Sequence, residues 1–316
     1  MAQLTACSTL AFSLSSLEVA LAHISDYGFR QVEIAEMLTH SKHFPIESVQ
    51  PAEVQSLLRQ YDLTPIGANV TLATLSSGES DLPTASALGQ ASAETDAIKA
   101  AKRNRVYYRL QLEKEAEQYL ERARHLIDQV RLAGIPMLVL NVGRKEHARD
   151  IDQEIEASAA VLDTAAEYAR AAGIKIVLEM PHVWQLYYDL RRSQQMLSHL
   201  KSDNIGVLID STHWHVSGYN IEEYVRFLGD RLWHVHLRDA AGKDSSGGQY
   251  QLEITPGEGE VDFRLLGETL DRYQYQRAVT LETEYKNYHD PSQVDHANRM
   301  AFAHLQSAGW TLKNAS

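Results

Sequence analysis

A single cysteine, Cys7, stands in a chain of 316 residues. One thiol excludes an internal disulfide and fits a reducing compartment. Long apolar runs are missing too, and nothing approaches the uncharged stretch needed to cross a bilayer. The opening MAQLTACSTLAFSLSSLEVA lacks the basic start and unbroken apolar centre of a signal peptide, so the expectation is a cytoplasmic protein with no membrane partner. Positive charge is in deficit: 30 Lys and Arg face 42 Asp and Glu, a formal net charge of -12. Nucleic-acid binding rests on neutralising phosphates, and this balance argues against it. The one basic cluster, Lys99, Lys102, Arg103, Arg105 and Arg109, reads as a solvated helix face. A glycine-rich dinucleotide turn is absent as well, because STLAFSLSS after the first strand contains no glycine. That weakens the case for an open, doubly wound nucleotide-binding sheet.

What is present is an alternation. Short apolar runs (LTACSTLAF, QVEIAE, TPIGANV, MLVLNVG, IKIVLEM, NIGVLID, LWHVHLR and AVTLETE) are separated mostly by amphipathic helical patterns such as Glu154 to Gly173. Strand then helix, repeated some eight times, predicts an α/β chain folded as a single (β/α)8 TIM barrel over residues 1–316. The rhythm breaks after the third strand, where a small, polar stretch leads into the helix YRLQLEKEAEQYLERARHLIDQVRLAG. Long connections in compact domains are usually functional or disordered, and residues 76–107 are expected to form a lid insertion over the barrel mouth. A second long loop, AAGKDSSGGQYQLEITPGEGEVDF, follows the seventh strand.

Polar residues fall at the strand ends. The fifth strand delivers Glu179, with His182 three residues on. The sixth delivers Asp210, then His213 and His215. The seventh, RLWHVHLRD, spends one face on imidazoles: alternation sets Leu232, His234, His236 and Arg238 against Trp233, Val235 and Leu237. The eighth delivers Glu282 and Glu284, of which Glu282 matches Glu179 in depth. Buried unpaired carboxylates are costly, and in a barrel these strand ends converge on one mouth. Carboxylates and a histidine meeting there call for a cation between them, and that donor mixture suits Mn²⁺ first, with Mg²⁺, Co²⁺ or Zn²⁺ as alternatives. A network paired with Arg191, Arg192 and Arg238 is the structural alternative.

Taken in order, LEMPH, LIDSTHWH, HVHLRD, PGEGEVDF and VTLETEY resemble the successive motifs of the sugar isomerase/epimerase family with the xylose-isomerase-like TIM barrel. The resemblance is strongest from Ile174 to Tyr285. It implies one divalent metal on Glu179, Asp210, His236 and Glu282, with Glu179 and Glu282 also moving the substrate proton. It further implies that His213 contacts substrate oxygens, that His234 is a neighbour outside the site, and that the protein is a homo-oligomer. His182, Arg238 and Trp184 join His213 as candidate substrate-binding residues. Two departures matter. Epimerases of free ketohexoses carry His-x-x-Glu-x-x-Arg here, whereas this chain has Asp239 and Gly242 at the last two positions. The three-metal apurinic-site endonucleases of the same fold need histidines in GANV and LNVG, which have none.

The expected activity is metal-dependent isomerisation or epimerisation of a sugar by proton transfer beside its carbonyl, through an enediolate. The alternative is a lyase acting on an inosose or a 3-keto-glycoside, in which the same proton abstraction expels a β-substituent. That route asks one of His182 and His213 to act as a protonated acid. The aromatics Trp184, Tyr187 and Tyr188 are expected to suit a substrate larger than a triose or tetrose.

Overall fold

The computed structural model describes residues 2–37, 41–43, 50–70, 94–143, 150–244 and 249–312, with the helix path alone over 94–113. Eight strands form the barrel: β1 (Ala6–Ser8), β2 (Gln31–Met37), β3 (Thr64–Val70), β4 (Met137–Leu140), β5 (Lys175–Glu179), β6 (Ile205–Asp210), β7 (Leu232–Leu237) and β8 (Ala278–Leu281). Each pairs in parallel with the next, and β8 returns to pair with β1, which closes the sheet. This is the TIM barrel that the alternation predicts. Among the described residues the helices are α1 (Leu17–Asp26), α2 (Pro51–Gln60), α3 (Glu94–Ala133), α4 (Ile151–Ala171), α5 (Leu190–His199), α6 (Ser211–Ser217), α7 (Ile221–Leu228), α8 (Phe263–Arg272) and α9 (Pro291–Ser307). None of these is long and apolar enough to cross a membrane. The insertion follows β3, as expected. The proposed lid lies outside the described residues as far as position 93, and its remainder opens α3.

Strand ends are shorter than the apolar runs suggest. LTACSTLAF yields only three barrel residues, because Ser8 Oγ accepts the N–H of Leu10 at 3.2 Å and turns Thr9–Phe12 into a 3-10 helix. Within the loop expected after β7, Asp239–Gly242 pairs antiparallel with Tyr250–Ile254 as a hairpin.

Alternation sorts the strand residues into two cores. On β5, Ile176 and Leu178 join the apolar layer beneath the helices, and Val177 joins a separate inner cluster with Met137, Val139 and Leu208. Glu179 comes next on the same inward face as Val177. The barrel interior therefore has an apolar floor near the strand starts and polar groups above it.

Trp233 completes that floor, which corrects the simple alternation over β7. The pairing of β6 with β7 slips by one residue, from Val207 opposite Leu232 to Leu208 opposite His234. Such a bulge redirects a side chain. Leu232 consequently packs outward with Val235 and Leu237, while Trp233 packs on the inner cluster. Lys175 Nζ and the Arg277 guanidinium stand 5.2 Å and 5.9 Å from the indole centroid, as cation–π partners. The indole fits because β6 has Gly206 at that point, where an added Cβ would overlap the ring.

Gly206→Ala should therefore cost about 1–3 kcal/mol in urea unfolding, the usual range for overpacking. The penalty should shrink in a Trp233→Leu background, because a shorter side chain removes the overlap. Equal penalties in the two backgrounds would show that the floor contact is not the cause.

Candidate active site in the barrel mouth

Above the floor, β5, β6, β7 and β8 bring Glu179, Asp210, His236 and Glu282 inward, all of them buried. One oxygen of Glu179, one of Asp210 and one nitrogen of His236 lie within 4.8 Å of one another, a spacing that could hold a metal ion. Glu282 Oε2 lies 3.0 Å from His236 Nδ1.

The Asp210 carboxylate is divided between two tasks. Oδ1 caps α6, accepting from Thr212 N at 2.7 Å, Thr212 Oγ1 at 2.5 Å and His213 N at 3.4 Å. An Asp at this position anchors the helix start. Oδ2 is buried and receives no hydrogen bond. A bare buried carboxylate oxygen costs free energy unless a cation approaches it. Facing Glu179 and His236, it makes the donor set one that fits a divalent cation, with oxygen in the majority and one imidazole nitrogen.

Arg238 lies at the rim beside this group. Its Nη1 is 3.8 Å from Asp210 Oδ2 and 3.4 Å from Glu282 Oε2, and its Nη2 is 3.0 Å from Glu284 Oε2. The guanidinium thus faces the carboxylates. Lys286 continues the chain of charges, 3.2 Å from Glu284 Oε1 and paired also with Glu253 of the hairpin. Arg192 pairs with Asp152 instead, so the network envisaged around Arg191, Arg192 and Arg238 is represented at the mouth by Arg238.

Three aromatic rings stand beside Glu179. His213 Nε2 is 3.3 Å from Glu179 Oε1 and His182 Nε2 is 3.8 Å from Oε2. The two imidazole centroids are 3.9 Å apart. Trp184 meets both rings, at 5.6 Å and 6.2 Å between centroids, and is 39% exposed, so it forms an accessible wall. Tyr187, expected in that wall, is fully buried. Its hydroxyl donates to Asn141 Oδ1 at 2.9 Å, which removes it from substrate contact. His215 is held apart, with its Nδ1 3.2 Å from Lys243 Nζ.

Burial disfavours the charged form of Glu179, but the imidazoles of His182 and His213 at its oxygens outweigh that effect and hold the carboxyl well below its usual range. Burial, with His213 beside it, pushes His182 down to about 3. The backbone N–H of Trp184 donates to His182 Nδ1 at 3.3 Å, so the proton of the neutral ring is on Nε2, towards Glu179. Burial lifts Glu282 above the usual carboxyl range, against the pull of His236 and Arg238. Two carboxylates in one mouth are thereby pushed in opposite directions.

Two neighbours escaped sequence reasoning. Asn69 on β3 donates through Nδ2 to Glu282 Oε1 at 2.8 Å. Glu33 on β2 is buried, with Oε2 2.8 Å from His236 Nε2 and Oε1 3.3 Å from His234 Nε2. Burial opposes its charge, but the two imidazoles outweigh it and bring Glu33 down to about 2. A carboxylate on the inward face of an otherwise apolar strand was its visible signal. Asp239, which stands where free-ketohexose epimerases carry glutamate, accepts backbone N–H groups of Gly257, Gly259 and Val261 at 2.8, 3.0 and 3.0 Å. It anchors the PGEGEV turn.

The profile of the xylose isomerase-like TIM barrel family matches residues 21–304. An inosose isomerase of Bacillus subtilis (strain 168) is 24% identical over 141 residues, which is 44% of this chain and 51% of that protein. The match thus spans about half the length of this curated relative. Among solved structures, a zinc-bound IOLI protein superposes with a TM-score of 0.70 at 16% identity, covering 96% of this chain and 98% of that one. An L-ribulose 3-epimerase gives 0.68 at 18% identity, covering 98% and 96%. At such identities the superpositions speak for the fold alone.

The depressed His182 has a measurable consequence. Between its ordinary value of 6.5 and the folded value of about 3, the unfolded chain takes up a proton that the folded chain refuses. The stability contributed this way is present above pH 6.5 and lost as pH falls towards 3. Metal-free His182→Gln should lose unfolding free energy less steeply than the parent between pH 6.5 and about pH 4. Parallel declines in urea titrations would show that His182 titrates normally.

Proposed function

The chain belongs to the xylose isomerase-like TIM barrel family, and we propose that it is a divalent-metal-dependent sugar isomerase or epimerase that moves a proton next to a carbonyl. The observation that carries this reading is the bare, buried Asp210 Oδ2 facing Glu179 and His236. Glu179, Asp210, His236 and Glu282 would hold the ion, for which Mn²⁺ is the first candidate, with Zn²⁺, Mg²⁺ and Co²⁺ behind it. When bound, such an ion supplies Lewis acidity that polarises a carbonyl and stabilises enediolate charge.

The remaining chemistry falls to the side chains. β6 and β7 stand between β5 and β8 in the sheet, so Glu179 and Glu282 reach the mouth from separated points of the rim. Glu179, held ionised, takes the proton on the carbon beside the carbonyl. Glu282, with its raised affinity for a proton, returns one. Environments that push two carboxyls apart make this division of labour possible. Neutral His182, together with His213, orients substrate hydroxyls, Trp184 covers an apolar face of the sugar, and Arg238 holds an oxygen at the rim.

The names of the similar proteins point the same way. Isomerising an inosose and epimerising a ketose at C3 both remove and return a proton beside the carbonyl of a polyhydroxylated carbon frame. We therefore take the substrate class to be a ketose, an inosose or a closely related keto-sugar. The lyase route asks His182 or His213 for a protonated imidazole, and His182 is held neutral.

A panel of ketoses, inososes and 3-keto-glycosides, incubated with Mn²⁺-loaded protein in deuterated water, should show solvent deuterium beside the carbonyl. Glu282→Gln should slow turnover about 10²–10⁴-fold, the range for losing a general acid–base group, and weaken metal binding. Full activity after exhaustive chelation would remove the metal from the reading, and no exchange with any member of the panel would remove the reading itself.

A further inference from the structure

We propose that Glu33 is a positioning residue that holds the proton of His236 on Nε2, leaving Nδ1 as the nitrogen that faces the mouth. The inference rests on the metal-site reading above. It concerns a buried residue outside the proposed ligand set.

His236 has a carboxylate oxygen at each nitrogen, Glu33 at 2.8 Å from Nε2 and Glu282 at 3.0 Å from Nδ1. The ring is completely buried, so water cannot choose which nitrogen carries the proton. The two carboxylates differ in what else they touch. Glu282 also has Asn69 and Arg238 as partners. Glu33 is completely buried, and its ion-pair contacts are the two imidazoles, Nε2 of His236 at one oxygen and Nε2 of His234 at the other. An ionised carboxylate in that position is tolerable only while N–H groups point at it. If the proton of His236 moved to Nδ1, a lone pair would face Glu33 at 2.8 Å. The arrangement with Nε2–H towards Glu33 avoids this and leaves Nδ1 towards Glu282 at 3.0 Å, where a proton shared with that carboxyl covers the lone pair until a cation takes its place.

The strand pairing makes room for Glu33. β2 and β3 slip by one residue between Val32–Pro65 and Glu33–Gly67. A Cβ added to Gly67 would lie 3.4 Å from Glu33 Oε1 and 3.1 Å from Met137 Cε. His234, whose Nε2 is also 3.2 Å from Thr280 Oγ1, holds the second oxygen. Glu33 therefore cannot swing away from His236 without leaving His234. Carboxylates behind metal-ligating histidines orient the ring in this way in many proteins. The cluster Glu33, His234 and His236 also has the spacing of a metal site. Glu33 Oε2 and His236 Nε2 form an ion-pair contact at 2.8 Å, and a proton held between these two atoms is the reading taken over a second ion.

The test uses zinc, which is diamagnetic, and two readouts besides activity. Long-range ¹H–¹⁵N correlation of the histidine rings should show His236 with a slowly exchanging Nε2–H in metal-free and zinc-loaded protein, and with zinc on Nδ1. Chelator competition should give one equivalent of zinc, bound about 10–100-fold more weakly in Glu33→Gln. In that variant the Nε2–H resonance should move upfield and exchange faster. Glu33→Asp, which keeps the charge, should recover part of the affinity. Zinc on Nε2, an affinity unchanged in Glu33→Gln, or two equivalents of which Glu33→Gln removes one would each overturn the proposal. These last would mean a second metal. Should Glu33→Gln fail to fold, the wild-type ring assignment decides alone. Should the wild type bind no zinc or manganese, the functional reading fails, and the metal-free Nε2–H signal still tells whether Glu33 holds that proton.

Discussion

Carboxylates buried together in the mouth of a barrel repel one another, and the interior of this molecule is organised around that repulsion. Glu33, Glu179, Asp210 and Glu282 are all buried within one ring of strands. Each has a different partner set: two imidazoles for Glu33, His182 and His213 for Glu179, a helix start for Asp210, and Asn69, Arg238 and His236 for Glu282. Asp210 Oδ2 is left without a hydrogen bond, with Arg238 no nearer than 3.8 Å. A buried oxygen in that state beside Glu179 and His236 is a place that fits a cation.

The floor determines how high that place stands. Met137, Val139, Val177, Leu208 and Trp233 fill the lower barrel, so the first inward position free for a polar group on β5 is Glu179 and on β6 is Asp210. The bulge in β7 is part of the same arrangement, because it lets Trp233 reach inward while His234 and His236 still face the interior. Apolar packing below and the cluster of polar groups above are thus two consequences of one register.

Much of this could be seen in the sequence. IKIVLE and IGVLID are continuous apolar runs that end on an acid, the pattern of parallel strands buried on both faces that open onto a mouth. The eightfold alternation carried the barrel. Trp233 was misplaced because a bulge depends on the partner strand, which is invisible in the strand's own residues. Glu33 does not stand out among acids at strand ends, because it is the third residue of a seven-residue strand. Asp210 was recognised by position, although its helix-capping role was also written in the Ser-Thr pair that follows. Asp239 looked like a departure from a substrate motif, and its hydrogen bonds to the PGEGEV turn explain why an acid stands there.

A barrel stopped at one end is a blind well, and the indole of Trp233 is part of the stopper. With Gly206 against the ring and two cationic side chains beside it, the indole fills the lower end of the interior. A guest that reached the depth beside Asp210 by way of Trp184 and the rim would have to come ahead of anything that settles above it. The deeper guest would then enter first and leave last, and an occupant of the rim would act as a kinetic cap on the one below.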